Sequence, residues 1–348
     1  MSKSKYACIS VKTLAMKAQK IRELDYLELI KAKNMTAVFL YLRDHTYYGE
    51  FLKNLDPLNL HRTEIEVCLS DFKVKETEKL MHYLYGKDKS FFKMLLVQLE
   101  VESLIVLIRG IARNDDLESL RDLIGYSKKY TNVPFERLLR VKDWEKFKKL
   151  LIDTDYYRVL EIFKDASIEQ DLVMIEKSLD RYYYDLLKKR MLELDKKINR
   201  DLIKAQQRNF DLHNLVWIYR GRKFYNLSRE VLIAYSLRGG LEINERRLSN
   251  LVEAKNTEEM KEQLINSDYA FLFNHTKTID LYMERRMKRY LYYLYLKLFR
   301  IGSDNLGRAF AYIQLLDFEI ADITSIIESK RYRMEPAEIK YYLIRSFD

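Results

Sequence analysis

Apolar residues recur along this chain at helical spacing. Val101, Leu104, Ile105 and Ile108 follow one another at i, i+3, i+4 and i+7, and Leu212, Leu215, Val216 and Tyr219 repeat the series. Such spacing lays one apolar stripe along a helix and predicts that the stripe is buried. A third stretch keeps Ile320, Ile323 and Ile327, with Thr324 at the remaining place. Each stripe is preceded by an acid at a matched position: Glu100, Asp211 and Glu319. The three stretches read LEVESLIVLIRG from Leu99, FDLHNLVWIYRG from Phe210 and FEIADITSIIES from Phe318, a period of about 110 residues. Recurrence of the acid in all three favours a structural role, since one active site needs no three equivalents.

A second block repeats with the same period and aligns without a gap. It is YLELIKAKNMTAVFLYLRDHTYY from Tyr26, FERLLRVKDWEKFKKLLIDTDYY from Phe135 and LSNLVEAKNTEEMKEQLINSDYA from Leu248. Leu29, Leu138 and Leu251 match, as do Ile30, Leu139 and Val252. Val38, Phe147 and Met260 stand four residues before Leu42, Leu151 and Leu264, again one helix face. Asn34, Asp143 and Asn256 fall where one helix should stop and the next begin, and their short side chains suit the free N–H groups there. Lys33, Lys142 and Lys255, one place earlier, suit the carbonyl end of the preceding helix. Asp44, Asp153 and Asn266 are expected to cap a third helix, with Tyr47, Tyr156 and Tyr269 packed in its first turn. A tail block matches Leu120, Val231 and Ile339.

The pattern predicts an all-α protein of three homologous helical-bundle domains, over residues 1–125, 126–240 and 241–348. Long amphipathic helices over 171–192 and 280–299 join the blocks. A period this long repeats whole domains, not solenoid turns, and three such domains can close around a pseudo-threefold axis. Nine Gly and three Pro are too few turn residues for a β-rich chain of 348 residues.

The formal charge is +10, which suits nucleic acid, an anionic membrane surface or acidic proteins. Lys and Arg alternate with Asp and Glu throughout, the pattern of solvated helix faces. Cys8 and Cys68 form no spaced pair and read as ordinary thiols of a reducing compartment. The residues after Met1 carry no apolar stretch of a signal peptide, and no run is long enough for a membrane helix.

Recognisable chemistry is sparse. There is no G-x-x-x-x-G-K-[ST] loop for nucleotide phosphates and no G-x-G-x-x-G. His45, His61, His82, His213 and His275 are scattered without the i, i+4 pairing that zinc needs. Carboxylate pairs such as Asp115-Asp116 and Asp153/Asp155 suit surface and capping positions. No catalytic, cofactor-binding or metal-binding residue is assigned. Arg109 and Arg220 recur, with Glu328 in the third copy; they suit a helix C-terminus, or an anion or partner. The tyrosine-rich runs at Tyr182–Tyr184 and Tyr290–Tyr295 suit core packing, a protein interface or base stacking. Arg285, Arg286, Arg289, Tyr292 and Tyr295 are the partner-binding candidates.

The motifs LRDHTYY, LIDTDYY and LINSDYA resemble those of the C subunits of the V/A-type rotary ATPases, the family that includes the d subunits of eukaryotic vacuolar enzymes. The ending FEIADITSIIESKRYRMEPAEIKYYLI is similar to the family's closing motif, and YACISVKTLAMKAQKI to its opening helix, with Lys12 where arginine is expected. The resemblance spans nearly the whole chain. It implies a funnel-shaped protein, one copy per complex, peripheral on the cytoplasmic face of the membrane. It implies a non-catalytic socket that transmits torque between a rotor stalk, made of the D and F subunits, and the proteolipid ring of a proton or sodium pump. It implies no bound nucleotide, nucleic acid or cofactor. The basic charge would then complement acidic surfaces of stalk or ring. The alternatives are a helical-repeat scaffold, a nucleic-acid-binding protein, or a helical enzyme with an unrecognised site.

Overall fold

The structure is a computed structural model and describes residues 5–163, 167–274, 279–302 and 304–347, with the backbone alone at Leu281. His275 and the first four residues lie outside the described residues. Among the described residues every regular element is helical. In chain order they are α1 (Ala7–Ala18), α2 (Glu23–Lys31), α3 (Met35–His45), α4 (Gly49–Leu52), α5 (Arg62–Met81), α6 (Gly86–Phe92) and α7 (Met94–Ala112). A 3-10 segment, Leu117–Leu123, precedes α8 (Phe135–Leu138), α9 (Trp144–Leu150), α10 (Asp155–Glu161), α11 (Ile168–Leu192) and α12 (Arg200–Tyr225). Then come α13 (Arg229–Ala234), α14 (Glu245–Glu253), α15 (Thr257–Glu262), a 3-10 turn at Ala270–Phe273, α16 (Ile279–Ile301), α17 (Gly307–Arg331) and α18 (Pro336–Tyr342).

The matched caps form as their chemistry requires. Asn34 Oδ1 accepts the backbone N–H of Ala37 at 2.9 Å and starts α3. Asp143 Oδ1 accepts that of Lys146 at 2.8 Å and starts α9. Asn256 Oδ1 takes Glu258 N at 3.1 Å and Glu259 N at 2.9 Å and starts α15. Behind each cap the matched core residues are buried: Val38 and Leu42, Phe147 and Leu151, Met260 and Leu264.

The next expected caps do not form. Asp44 lies inside α3 and pairs with the Arg43 guanidinium at 2.8 Å, which draws its pKa below the usual carboxylate range. The N-caps of α10 and of the 3-10 turn are Thr154 and Tyr269, neither with a side-chain cap bond. The neighbouring hydroxyls act instead. Thr46, Thr154 and Ser267 donate to the carbonyls of Leu42, Leu151 and Leu264, at 2.5, 2.7 and 2.7 Å. A hydroxyl both donates and accepts, so it can close the finished helix; a carboxylate can only accept.

Packing divides the chain into two compact units. One comprises Met1–Leu14, Asp195–Ile326 and Met334–Asp348, the other Ala15–Leu194 and Ile327–Arg333. Within the second, α7 packs most extensively on α11; within the first, α12 packs on α16. In both cases the striped helix of one sequence copy lies against the long helix of the next. Leu104 and Ile108 of α7 and Leu215 and Ile218 of α12 are fully buried, as are Ile175 and Leu179 of α11. The packing boundary at Leu194 therefore falls within the second sequence copy, because the first two stripes are each buried against the long helix of the copy that follows.

Asn256→Ala removes both N-cap acceptor bonds and should lower the unfolding free energy by about 1 kcal/mol, while Asn256→Asp keeps most of it. Urea unfolding followed by circular dichroism checks the order of the three proteins.

Candidate functional site

The recurring acids and tyrosines meet between successive copies. The Tyr156 hydroxyl donates to Glu100 Oε2 at 2.9 Å, and the Tyr269 hydroxyl donates to Asp211 Oδ2 at 2.7 Å. All four side chains are buried. Burial pushes the Glu100 carboxyl above its ordinary value, opposed by hydrogen bonds from Thr131 and Tyr156. Burial beside these acids also holds both tyrosine hydroxyls well above the usual phenolic range, so they stay protonated as donors. Asp211 takes three backbone N–H groups as well: Leu241 at 3.0 Å, Glu242 at 2.8 Å and Ile243 at 3.1 Å. Such a carboxylate organises a whole turn. The turn has room for it only because position 240 is glycine; a Cβ there would stand 1.8 Å from Asp211 Oδ1.

A second contact lies at the far ends of the striped helices. Arg109 Nε and Nη2 donate to the two carboxylate oxygens of Glu176 at 2.6 and 2.7 Å, a two-pronged pair between the first copy and the second. Arg220 pairs with Glu284, from the second copy to the third. Glu328, the third member of this position, pairs with Arg62 of the first copy. The pairing is kept and its polarity is reversed. Beside it, Arg222 donates to the carbonyl of Val252 and Lys330 to that of Ile30, two matched positions of the repeat. Arg109 and Arg220 thus serve a facing acidic side chain and not the carbonyl end of their own helix.

A third set was missed in the sequence because no residue type is shared. Ser103, Asn214 and Asp322 occupy one position of the striped helix, three residues after the recurring acid. Ser103 Oγ donates to Gly125 O at 2.9 Å and accepts Gly125 N at 3.0 Å. Asn214 donates to Leu237 O at 2.8 Å and accepts Leu237 N at 2.7 Å. Asp322 accepts Ile344 N at 2.6 Å and Arg345 N at 3.2 Å, and burial raises its pKa to about 7 against those two bonds. Each side chain clasps the backbone of its own copy's tail. Only the shared distance to that tail could have flagged them.

The five partner-binding candidates are placed as follows. Arg285 stacks over Tyr282 and Tyr341, 4.5 and 4.2 Å from the ring centroids. Arg286 donates to Leu272 O at 3.1 Å. Arg289 donates to the carbonyls of Ile344 and Leu343 at 3.0 and 2.7 Å, next to Asp322 on the same segment. Tyr292 is half-buried against Phe318. Tyr295 is a core residue, 1% exposed, its hydroxyl accepting from Gln206 Nε2 at 3.1 Å. Its aromatic ring fills the space under α17, so it offers a partner no surface. Of the motif tyrosines, Tyr47 is half-buried and stacked on Tyr48 at 4.4 Å. Cys8 is exposed and Cys68 half-buried, both free. Among the described residues no helix is long and apolar enough to cross a membrane.

Comparison with known proteins matches this chain to one family. The profile described as ATP synthase (C/AC39) subunit matches residues 9–342. The C subunit of the A-type ATP synthase of Methanosphaera stadtmanae is 23% identical over 335 residues, covering 93% of this chain and 84% of that protein. Those of Methanosarcina mazei and Methanosarcina acetivorans are 22% and 24% identical over 177 and 179 residues, half of this chain and 47% of each relative.

Gly240→Ala should cost about 2–4 kcal/mol, because it displaces the buried Asp211 carboxylate from three backbone N–H groups at once. Tyr269→Phe, which removes one bond and leaves the carboxylate its other three, should cost about 1–2 kcal/mol. The two urea midpoints test this; a Tyr269→Phe loss as large as that of Gly240→Ala would mean that the turn does not hang on Asp211.

Proposed function

The chain belongs to the ATP synthase (C/AC39) subunit family, and on that footing we propose that it is the non-catalytic socket of a rotary ATPase. In this reading it couples the rotor shaft, made of the D and F subunits, to the membrane proteolipid ring and carries torque between them. It sits peripherally at the cytoplasmic face, one copy per complex. The observation that carries the reading is the family match along residues 9–342, which spans all three sequence copies. The formal charge of +10, spread along the chain, suits docking on acidic surfaces of shaft or ring. Of the candidate contacts we retain Arg285, Arg286 and Tyr292 for a partner, with Arg289 as a support for the Leu343–Arg345 segment.

We further propose that the copies over 1–125, 126–240 and 241–348 follow one another cyclically, the third returning to the first. What supports this is the pair between Glu328 and Arg62, which stands for the third copy where Arg109–Glu176 and Arg220–Glu284 stand for the other two. The Lys330 bond to Ile30, twin of Arg222 to Val252, supports it again.

Affinity purification of the tagged chain from native membranes tests the function. The shaft and ring proteins should come with it, and the isolated chain should hydrolyse no ATP; recovery of an unrelated set of proteins would overturn the reading. A double-mutant cycle tests the return contact. Arg62→Gln and Glu328→Gln should be coupled by about 0.2–1 kcal/mol in urea unfolding. Strictly additive losses would argue against it.

A further inference from the structure

The chain contains two copies of one junction, and they differ in the charged groups they hold. In the junction between the second and third copies, Arg208 stands three residues before the recurring acid Asp211. Its Nη1 donates to Glu242 at 3.1 Å and to the Tyr290 hydroxyl at 2.9 Å, and pairs with Asp268 at 2.9 Å. Asp268 immediately precedes the recurring Tyr269, and Tyr290 meets that ring edge-on. The guanidinium thus occupies a cradle of two carboxylates and a phenol.

In the junction between the first and second copies one carboxylate and the phenol of that cradle recur without an arginine at the matched position, and no acid stands between Asp122 and Glu136 to replace Glu242. Asp155 immediately precedes Tyr156, and Tyr182 meets the Tyr156 ring edge-on at 5.4 Å, as Tyr290 meets Tyr269. The Tyr182 hydroxyl lies 3.3 Å from Asp155 Oδ2, a long bond that leaves the carboxylate room for a stronger donor. Three residues before Glu100, where Arg208 would be, stands Val97. A cavity of about 440 Å³ opens there, and Val97, Glu100, Asp153, Asp155, Tyr156 and Tyr182 are among its walls. Lys93 and Arg190 also border it: Arg190 Nη1 is bound to Glu193 at 3.2 Å and its charge reaches the Tyr182 hydroxyl, and Lys93 lies on the Glu100 side, so neither takes the place that Arg208 takes beside the aspartate.

We propose that this cavity is a binding site for a guanidinium group supplied from outside the chain, held by Asp155 and Tyr182 as Asp268 and Tyr290 hold Arg208. The argument rests on an internal template. The same backbone position, the same aspartate and the same tyrosine already ligate a guanidinium elsewhere in this molecule, and substitution of arginine by valine vacates the space it fills. The group is a guanidinium because that is what the matched position holds, a single nitrogen, Nη1, making all three contacts there while the flat group keeps its charge at every accessible pH. The source is either an arginine side chain of a protein or a free guanidino compound, and the recognition chemistry is the same.

The test is calorimetric titration of the full chain with N-acetyl-arginine amide, with N-acetyl-citrulline amide as its uncharged counterpart. We expect saturable one-site binding of the arginine compound, about tenfold tighter than the citrulline compound. Asp155→Asn, at an exposed position, should weaken it about tenfold with an unchanged circular dichroism spectrum. Val97→Arg should abolish binding and raise the melting temperature, since the chain then carries its own guanidinium. Agmatine in place of the amide separates the sources: equal binding supports a site open to free guanidino compounds, and binding of the acylated arginine alone supports a protein side chain. No saturable binding, equal binding of citrulline, or binding undiminished in both variants would overturn the proposal.

Discussion

The buried bond between an acid of one copy and a tyrosine of the next is the constraint on which the rest depends. A carboxylate taken out of water is expensive unless hydrogen-bond donors surround it. Glu100 and Asp211 lie on helices whose stripes must be buried for the chain to fold, so the acids go in with them. Each must then find donors, and the nearest are the hydroxyls of Tyr156 and Tyr269 on the following copy. Burying a stripe therefore obliges two copies to meet in one register. The turn gathered by Asp211, and the glycine that lets it approach, are consequences of the same need.

Much of this was legible in the sequence. The stripes, the three caps at Asn34, Asp143 and Asn256 and the structural weight of the recurring acids all follow from spacing and side-chain chemistry. What was not legible divides by physical cause. Asp44, Asp153 and Asn266 look like caps, but a hydroxyl beside them serves the finished helix better, and one-dimensional spacing cannot tell which neighbour wins. Arg109 and Arg220 look like helix-end residues because their partners, Glu176 and Glu284, lie more than sixty residues away. Tyr295 shares its charged, aromatic neighbourhood with exposed residues, and only the packing of α17 makes it core. The Ser103, Asn214 and Asp322 set escaped because three different groups accept the same kind of backbone bond.

That last set shows how repeats diverge without losing their architecture. A position that must accept a backbone N–H tolerates hydroxyl, amide or carboxylate, since each has a free lone pair. A position that must hold an ion pair tolerates exchange of both signs together, as Glu328 and Arg62 do against Arg109 and Glu176. Identity falls while geometry is kept.

Apolar stripes and polar junctions also divide the work of holding the copies together. Hydrophobic burial supplies most of the energy holding α7 to α11 and α12 to α16, but it is non-directional, and two greasy helices can slide with little loss. Hydrogen bonds and ion pairs add little net energy each. They are short-ranged and directional, so a slip of one residue breaks them all while leaving buried groups unpaired. Glu100–Tyr156 just before the stripe of α7 and Arg109–Glu176 just after it pin the helix at two points against its neighbour. Under the proposed function the body carries force between partners and needs that resistance to shear more than extra stability, and these junctions stand at the contacts where copies would otherwise slide.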